Sequence, residues 1–167
     1  MTTKQYHGSC ICGSIKFEAD VESSEESNKC NCTTCWKLRF WFIRVKPEDF
    51  RLLTSEDALT DYVYKSGYHQ LFCKTCGVHA FGKLNKPGVG NFVSINVACL
   101  DDLSPEEFLE FKVKYMDGRN DQWWVEPKNT NLLWANTFWT GFHGKCIDDD
   151  DLRFLMYCLL VLLQWIS

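Results

Sequence analysis

Seven cysteines dominate the chemistry of this sequence, because they occur in three closely spaced groups. The groups are Cys10-Ile11-Cys12, Cys30-Asn31-Cys32-Thr33-Thr34-Cys35 and Cys73-Lys74-Thr75-Cys76. Thiolates at such spacings are common ligands of zinc, which takes four ligands in a tetrahedron with each sulfur at about 2.3 Å. We therefore interpret the seven residues as the ligands of two zinc ions.

Two of the groups are expected to form one closed site. Cys10 and Cys12 lie two residues apart, so their side chains point the same way in an extended chain. Cys73 and Cys76 form a Cys-x-x-Cys pair, and Gly77 after it permits the positive φ that a metal-binding knuckle often needs. Four thiolates complete the tetrahedron, so we expect this zinc to stabilise the fold without taking part in chemistry.

The third group, Cys30, Cys32 and Cys35, supplies three ligands from one short loop. A zinc ion with three protein ligands keeps a position for water or a substrate thiol, which is the arrangement of a catalytic site. Metal-bound thiols are deprotonated, so a substrate thiol would be held as thiolate at neutral pH. Two alternatives stay open: a fourth protein ligand closes this site too, or the three thiols bind no metal. The candidate fourth ligands are His69, His79, Cys99 and an aspartate.

Length, charge and cysteine content limit the classes of function. A chain of 167 residues is long enough for one domain with a sizeable core. The net charge of -4 argues against a nucleic-acid-binding surface.

The first residues lack the apolar segment of a signal peptide, so we expect a cytoplasmic location, where ten cysteines act as metal ligands or free thiols. A disulfide framework is the alternative. Cys99, Cys146 and Cys158 stand outside the motifs, and we interpret them as small hydrophobes.

The segments that must position the cysteines predict a mainly β fold. Ile15, Phe17 and Ala19 alternate with polar residues, as in a half-buried strand. Residues 21–29 are polar and indicate a loop. The aromatic and β-branched run at 38–45 indicates a buried strand directly after the third group.

A single helix signal stands near the end of the β-rich region. Ser104-Pro105-Glu106-Glu107 combines a capping residue, a proline suited to the first helical position and the glutamate of a capping box. The sequence therefore predicts a short helix near 104–110.

The end of the chain has a different composition. Residues 148–151 are acidic, and residues 152–166 are almost entirely apolar. We therefore divide the chain into one zinc domain at 1–147 and a tail at 148–167. A membrane span needs about 20 apolar residues, so we favour a C-terminal helix that is amphipathic, buried or bound to a partner. Membrane contact by this tail is the alternative.

The three cysteine groups together resemble the glutathione-dependent formaldehyde-activating enzyme family, also called the centromere protein V/Gfa family. The resemblance covers about residues 6 to 118 and rests on three motifs. They are Gly8-Ser9-Cys10-Ile11-Cys12-Gly13-Ser14-Ile15-Lys16-Phe17, Cys30-Asn31-Cys32-Thr33-Thr34-Cys35 and Phe72-Cys73-Lys74-Thr75-Cys76-Gly77. The resemblance implies an Mss4-like β-tent stabilised by zinc, with the same two ligand sets and a second zinc that the glutathione thiol can approach.

The founding activity of that family is the formation of S-hydroxymethylglutathione from formaldehyde. The resemblance therefore implies a carbon–sulfur lyase with two zinc ions, which acts on a glutathione adduct or a related thioether. The alternative is a non-catalytic interaction or chaperone-like module on the same fold. The sequence does not predict the oligomeric state.

The segment after the third group departs from the family pattern and supplies further candidates. It is Trp36-Lys37-Leu38-Arg39, followed by the bulky Phe40-Trp41-Phe42. Lys37 and Arg39 are candidates for binding glutathione carboxylates, because cationic donors bind carboxylates well; the alternative is that they are surface residues without a role. His79 is a candidate proton shuttle, because a histidine pKa lies near neutrality; the alternative is an ordinary strand residue.

Overall fold

The structure is a computed structural model that describes residues 3–22, 24–130 and 133. Ten strands lie in these residues: β1 Thr3–Ser9, β2 Lys16–Glu22, β3 Ser27–Cys30, β4 Trp41–Val45, β5 Phe50–Leu52, β6 Leu59–Val63, β7 His69–Cys73, β8 His79–Lys86, β9 Gly90–Asn96 and β10 Val113–Met116. The described α-helices are α1 Thr33–Leu38 and α2 Pro105–Glu110, and 3-10 turns lie at Pro47–Asp49, Glu56–Ala58, Val97–Cys99 and Gly118–Asn120. This β-rich content confirms the predicted fold class.

The strands form a small sheet and a large sheet with the main core between them. The small sheet has the order β1-β2-β5, and the large sheet has the order β10-β3-β4-β9-β8-β7-β6. Phe17 and Phe50 of the small sheet contact Phe81 of the large one, with ring centroids 6.0 and 4.7 Å from it. Burial of such apolar rings between two sheets is the dominant favourable contribution to folding.

Helix α2 begins as the sequence predicts. The Ser104 hydroxyl accepts a hydrogen bond from the Glu107 backbone N–H at 3.1 Å. The Glu107 carboxylate in turn accepts from the Ser104 backbone N–H at 3.0 Å. Both halves of the capping box are therefore present, with Pro105 at the first helical position.

Two local predictions around the third cysteine group are wrong in part. The predicted loop at 21–29 includes the end of β2 and most of β3, whose Ser27 is fully buried between the neighbouring strands β4 and β10. The predicted strand at 38–45 begins only at Trp41, because α1 extends to Leu38 and Arg39 ends it in the left-handed region at φ 50°. Polar residues form β3 because pairing on both sides, rather than apolar alternation, stabilises it.

The predicted tail at 148–167, its proposed helix and the domain boundary at 147 lie outside the described residues. Helices within the described part of the chain lack the length and apolar character needed to cross a bilayer.

Candidate metal centres

Cys10, Cys12, Cys73 and Cys76 come together as predicted, with all four sulfur atoms within 4.8 Å of one another. The Cys12 sulfur lies 3.5 Å from that of Cys10 and 3.6 Å from that of Cys73. A tetrahedron of sulfurs at 2.3 Å from zinc has edges of about 3.8 Å. The four-cysteine group therefore fits a single zinc ion with little rearrangement.

Two tight turns hold the four-cysteine group. Cys10 and Cys12 lie in the turn between β1 and β2, while Cys73 ends β7 and Cys76 lies in the turn before β8. The Cys76 backbone N–H donates to the Cys73 sulfur at 3.5 Å, and Gly77 has the expected positive φ of 73°. Burial raises the pKa of Cys73 to about 11, and the backbone N–H groups that point at its sulfur oppose that rise by favouring the thiolate that a metal binds.

Cys12 is the exposed member of the four-cysteine group. Its sulfur lies 3.2 Å from the Ser14 hydroxyl oxygen. Hydrogen bonding from Ser14 stabilises the thiolate and lowers the pKa of Cys12 to about 6. This thiol therefore loses its proton readily, which favours metal binding near neutral pH.

Cys30, Cys32 and Cys35 also come together, and their three sulfurs lie within 4.8 Å of one another. Cys30 ends β3, and its sulfur accepts a hydrogen bond from the Cys32 backbone N–H at 3.3 Å. Cys32 is the N-cap of α1, and its sulfur accepts from the Cys35 N–H at 3.5 Å. The first turn of α1 thus places the second and third sulfurs on the same side.

The candidate fourth ligands of the alternative interpretation do not join the three-cysteine group. Among the described residues, no other cysteine, histidine or carboxylate joins the three sulfurs. His69 pairs with Asp61 at 2.7 Å between Nδ1 and Oδ2. Cys99 is buried in the main core, where burial raises its pKa to about 12. The described part of the chain therefore leaves the fourth position of the three-cysteine group open.

The three thiols interact strongly with one another. Hydrogen bonds from the Cys30 and Cys35 thiols stabilise the Cys32 thiolate and hold the pKa of Cys32 far below its usual range. Hydrogen bonding to Cys32 raises the pKa of Cys30 to about 11, and hydrogen bonding to Cys30 and Cys32 raises that of Cys35. The metal-free group therefore favours one negative charge, and metal binding must release the remaining protons.

A segment after β10 supports the three-cysteine group. Asn31, between the first two of these cysteines, donates to the Asp117 carboxylate at 2.7 Å. Its side-chain oxygen accepts from the Arg119 backbone N–H at 2.8 Å. A Cβ at Gly118 would lie 2.6 Å from the Cys30 sulfur and 2.4 Å from the Trp123 ring. The segment therefore packs directly against Cys30, with no space for a larger residue at 118.

The candidate cations and the candidate histidine occupy different environments. Lys37 and Arg39 are exposed on or next to α1, and the Arg39 guanidinium lies 4.3 Å from the centre of the Trp36 ring. His79 is only 7 % exposed, between the rings of Phe40 and Phe72 at centroid distances of 4.5 and 4.8 Å. Burial lowers the pKa of His79 to about 4, so its ring is neutral at pH 7.

Sequence reasoning missed several residues near the three-cysteine group. Asn31 and Asp117 are far apart in the sequence, and only the position of Asn31 between two cysteines hints at a role. A set of buried polar residues on the large sheet carries no motif or periodic signal at all. These residues are Arg44, Tyr68, Gln70 and Ser94.

Comparison with known proteins gives concordant matches. The family described as glutathione-dependent formaldehyde-activating enzyme matches residues 5–116, which include all seven motif cysteines and end just before Asp117. A Penicillium rubens protein is 34% identical over 150 residues, which cover 87% of this chain and 69% of that protein. It is provisionally named a glutathione-dependent formaldehyde-activating enzyme.

Two further fungal proteins with the same provisional name match over shorter segments. The Phaeosphaeria nodorum protein is 35% identical over 80 residues, covering 45% of this chain and 42% of that protein. The Talaromyces marneffei protein is 34% identical over 82 residues, covering 46% of this chain and 44% of that protein. The matched segments thus span less than half of these two relatives.

A crystal structure of a Rhodobacter sphaeroides protein shares the fold. The TM-score is 0.55 at 22% sequence identity, and the match covers 65% of this chain and 99% of that one.

Proposed function

The chain belongs to the glutathione-dependent formaldehyde-activating enzyme family, and from this premise we propose that it is a zinc-dependent carbon–sulfur lyase. Its proposed substrate is a glutathione adduct, such as the hydroxymethyl adduct, or a related thioether. The observation that carries the proposal is the open fourth position at Cys30, Cys32 and Cys35. The four-cysteine group is proposed to hold a purely structural zinc.

The second zinc fits the three-cysteine group because three sulfurs converge there. Zinc bound there would supply a positive charge that stabilises the thiolate of the substrate and lowers the cost of exchanging its carbon–sulfur bond. Phe40, Phe42 and Met116 pack around the cysteines and limit the access of water. Asn31, held by Asp117, fixes the loop that carries the ligands.

The proposed reaction is the addition of a thiol to formaldehyde, or the reverse of that addition. In the synthetic direction the thiol sulfur bonds to the carbonyl carbon of formaldehyde, the C=O π bond breaks, and the thiol proton is transferred to the oxygen. His79 is proposed to relay that proton from the sulfur to the oxygen, because its ring is neutral at pH 7 and contacts Phe40 beside the cysteines. Lys37 and Arg39 are proposed to attract a glutathione carboxylate at the rim of the site.

We also propose a cytoplasmic location. The eight described cysteines are free thiols, and reduced thiols of this kind are typical of proteins in a reducing compartment. Glutathione is abundant in the same compartment, which agrees with the proposed substrate.

Native mass spectrometry of the zinc-loaded full chain, with and without glutathione, tests the proposal. We expect two zinc ions and one glutathione per chain, and we expect Cys32→Ser to lose the glutathione while remaining folded. Serine is itself a preferred N-cap, so this variant keeps the start of α1. Turnover is then measured by following the thiol adduct of formaldehyde by NMR.

Two zinc ions without any thiol binding at millimolar glutathione would contradict the lyase proposal. Together with unfolding of Cys32→Ser, that result would favour the non-catalytic interaction module.

A further inference from the structure

The large sheet has a second face, opposite to the one in the main core, and this face carries a row of polar residues. Arg44 on β4 pairs with Ser94 on β9, Ser94 pairs with Gly82 on β8, and Gly82 pairs with Gln70 on β7. Residues directly opposite one another on paired strands share a face of the sheet. The neighbouring residues Ile43 and Ile95 point instead into the main core.

Tyr68 completes this row by lying across the glycine. A Cβ at Gly82 would be 2.3 Å from the Tyr68 hydroxyl oxygen, so the side chain of Tyr68 rests on the backbone at that position. Glycine is therefore required at 82 for Tyr68 to reach the row. We call Arg44, Tyr68, Gln70 and Ser94 the polar row.

Each residue of the polar row has a buried polar side-chain atom that lacks a hydrogen-bond partner among the described residues. Gln70 is 5% exposed and Ser94 is 1% exposed. In the described part of the chain, no hydrogen bond reaches Arg44 Nε, Tyr68 Oη, Gln70 Oε1 or Ser94 Oγ. Burial raises the pKa of the Tyr68 hydroxyl, and the nearby Ser94 opposes that rise, but the two oxygens form no aligned hydrogen bond.

Burial of these four polar atoms lowers the stability of the fold unless another molecule supplies their hydrogen-bond partners. Each buried polar group without a partner costs about 1–3 kcal/mol, and native proteins leave few of them. Four such atoms in one row therefore point to a ligand that supplies the missing partners.

The charge of the row identifies the class of ligand. The Arg44 guanidinium lies over the rings of Phe42 and Phe92, at 5.4 and 4.5 Å from their centres. It forms no ion pair with a carboxylate of the described residues. Arg44 lines a cavity together with Asp20, Glu22, Glu25 and Asp49, but none of these four carboxylates forms an ion pair with it. A half-buried cation without an acidic partner suits an incoming anion.

The polar row begins next to the three-cysteine group. Phe42, which carries the Arg44 guanidinium on its ring, packs against Cys30 in the same cluster. Burial lowers the pKa of Arg44, and Cys30 and Cys35 lie near enough to Arg44 to oppose that shift. The Arg44 end of the polar row therefore lies beside the proposed position of the substrate sulfur.

We propose that the polar row is a subsite for the carboxylate and adjacent amide of a peptide-like thiol substrate. The planar guanidinium of Arg44 donates two parallel hydrogen bonds to the carboxylate, a geometry that arginine favours. Tyr68 donates a further hydrogen bond, and Gln70 Oε1 accepts one from the amide N–H. This inference rests on the proposed function, because it places the substrate thiol at the three-cysteine group.

Calorimetric titration of the zinc-loaded full chain with three probes tests the subsite. The probes are glutathione, glutathione diethyl ester, whose carboxylates are blocked, and 2-mercaptoethanol, which is a thiol alone. Arg44→Met keeps an unbranched stem over Phe42 and Phe92 but removes the charge. We expect it to weaken glutathione binding about 10- to 100-fold and to leave the other two probes within twofold of wild type.

The matched control is Arg51→Met, which removes an exposed arginine that pairs with Glu18 on the small sheet. It is expected to bind all three probes as wild type does. Equal glutathione binding by Arg44→Met and wild type overturns the subsite and leaves the proposed function standing. Failure of wild type to bind any of the three thiols overturns the proposed function and the subsite together.

Tyr68→Phe keeps the test decisive if Arg44→Met folds poorly. It removes one hydroxyl that has no partner in the free protein, so the stability should stay equal or rise. Glutathione binding should weaken about 2- to 10-fold, with no change for 2-mercaptoethanol. Unchanged glutathione affinity in this variant counts against the subsite.

Discussion

The four-cysteine group connects two hairpins that belong to different sheets, whereas the three-cysteine group lies within one loop of the large sheet. In the first, the ligands come from the β1–β2 turn and from the β7–β8 turn. In the second, all three ligands lie between the end of β3 and the first turn of α1. Both groups have sulfurs within 4.8 Å, so the ligand spacing alone does not separate them.

We therefore expect the same ligand chemistry to stabilise the fold at the four-cysteine group and to leave it nearly unaffected at the three-cysteine group. A metal that joins segments distant in sequence restricts the unfolded chain and contributes folding free energy. A metal held within six residues closes only a short loop, and the N-cap and the contacts to Asp117 already order that loop.

Cys76→Ser should have the largest effect. It removes a ligand of the zinc proposed for the four-cysteine group, and structural zinc sites commonly fail to fold without their metal. We expect a largely unfolded chain at 25 °C, measured by circular dichroism and zinc content.

Cys32→Ser is the matched variant in the other group. It should keep the far-ultraviolet spectrum of wild type and shift the melting temperature by only a few degrees, because serine replaces one N-cap with another. Equal unfolding by the two variants would remove the distinction between the groups.

Gly118→Ala should act mainly on the three-cysteine group. The new methyl group meets the Cys30 sulfur and the Trp123 ring, and overpacking of this kind costs about 1–3 kcal/mol. We expect urea denaturation to show that loss, and chelator titration to show that one of two zinc ions leaves earlier than in wild type.

Gly8→Ala provides the comparison for that variant. Its methyl group would lie 2.2 Å from the Phe17 ring in the main core, so it should destabilise the whole domain. Selective early loss of one zinc in Gly8→Ala, rather than in Gly118→Ala, would show that the segment after β10 does not support the three-cysteine group.

His79→Phe should reduce the sensitivity of stability to acid. Burial lowers the pKa of His79 to about 4 in the folded state, against about 6.5 in the unfolded state. The unfolded state therefore binds the extra proton as pH falls below about 6.5, and wild type loses about 2 kcal/mol from this residue between pH 7 and pH 5.

Urea unfolding of wild type and His79→Phe at both pH values measures this difference. Loss of thiolate ligands in acid affects both proteins, so only the difference between them reports on His79. Identical pH dependence would mean that the ring is not held neutral beside Phe40.

Lys37→Met and Arg39→Met should have the smallest effect. Exposed charge pairs contribute about 0.2–1 kcal/mol, so each variant should weaken glutathione binding by less than about fivefold in calorimetry. The loss should fade at high salt, because solvent screens exposed charges. A tenfold or larger loss that persists in salt would place the carboxylate on α1 rather than on Arg44.

Features that depend on neighbouring residues could be predicted from the sequence. The seven cysteines follow short spacings, and Ser104 with Glu107 forms the expected capping box. These features are local, because the geometry of a turn or of a helix start is set within a few residues. The β-rich fold class followed from the alternation at Phe17 and Ala19 and from the family resemblance.

Features that depend on the pairing of segments distant in the sequence could not be predicted from the sequence. Strand β3 consists of small polar residues, and it exists because β10 pairs with it from much later in the chain. Helix α1 escaped prediction because its N-cap is the thiol of Cys32 rather than a more usual capping residue. The polar row depends on the register of four strands, so no short stretch of sequence contains it.

The hydrogen bond from Asn31 to Asp117 has a consequence for biosynthesis. The two residues are 86 positions apart, so the ribosome must add all of the intervening chain before this hydrogen bond can form. At about 5–20 residues per second this takes roughly 4–17 s. During that interval the nascent thiols of Cys30, Cys32 and Cys35 have no partner strand β10 beside them and depend on the reducing milieu of the translating cell. Oxidative stress during synthesis should therefore damage this protein more than the same stress applied to the finished molecule.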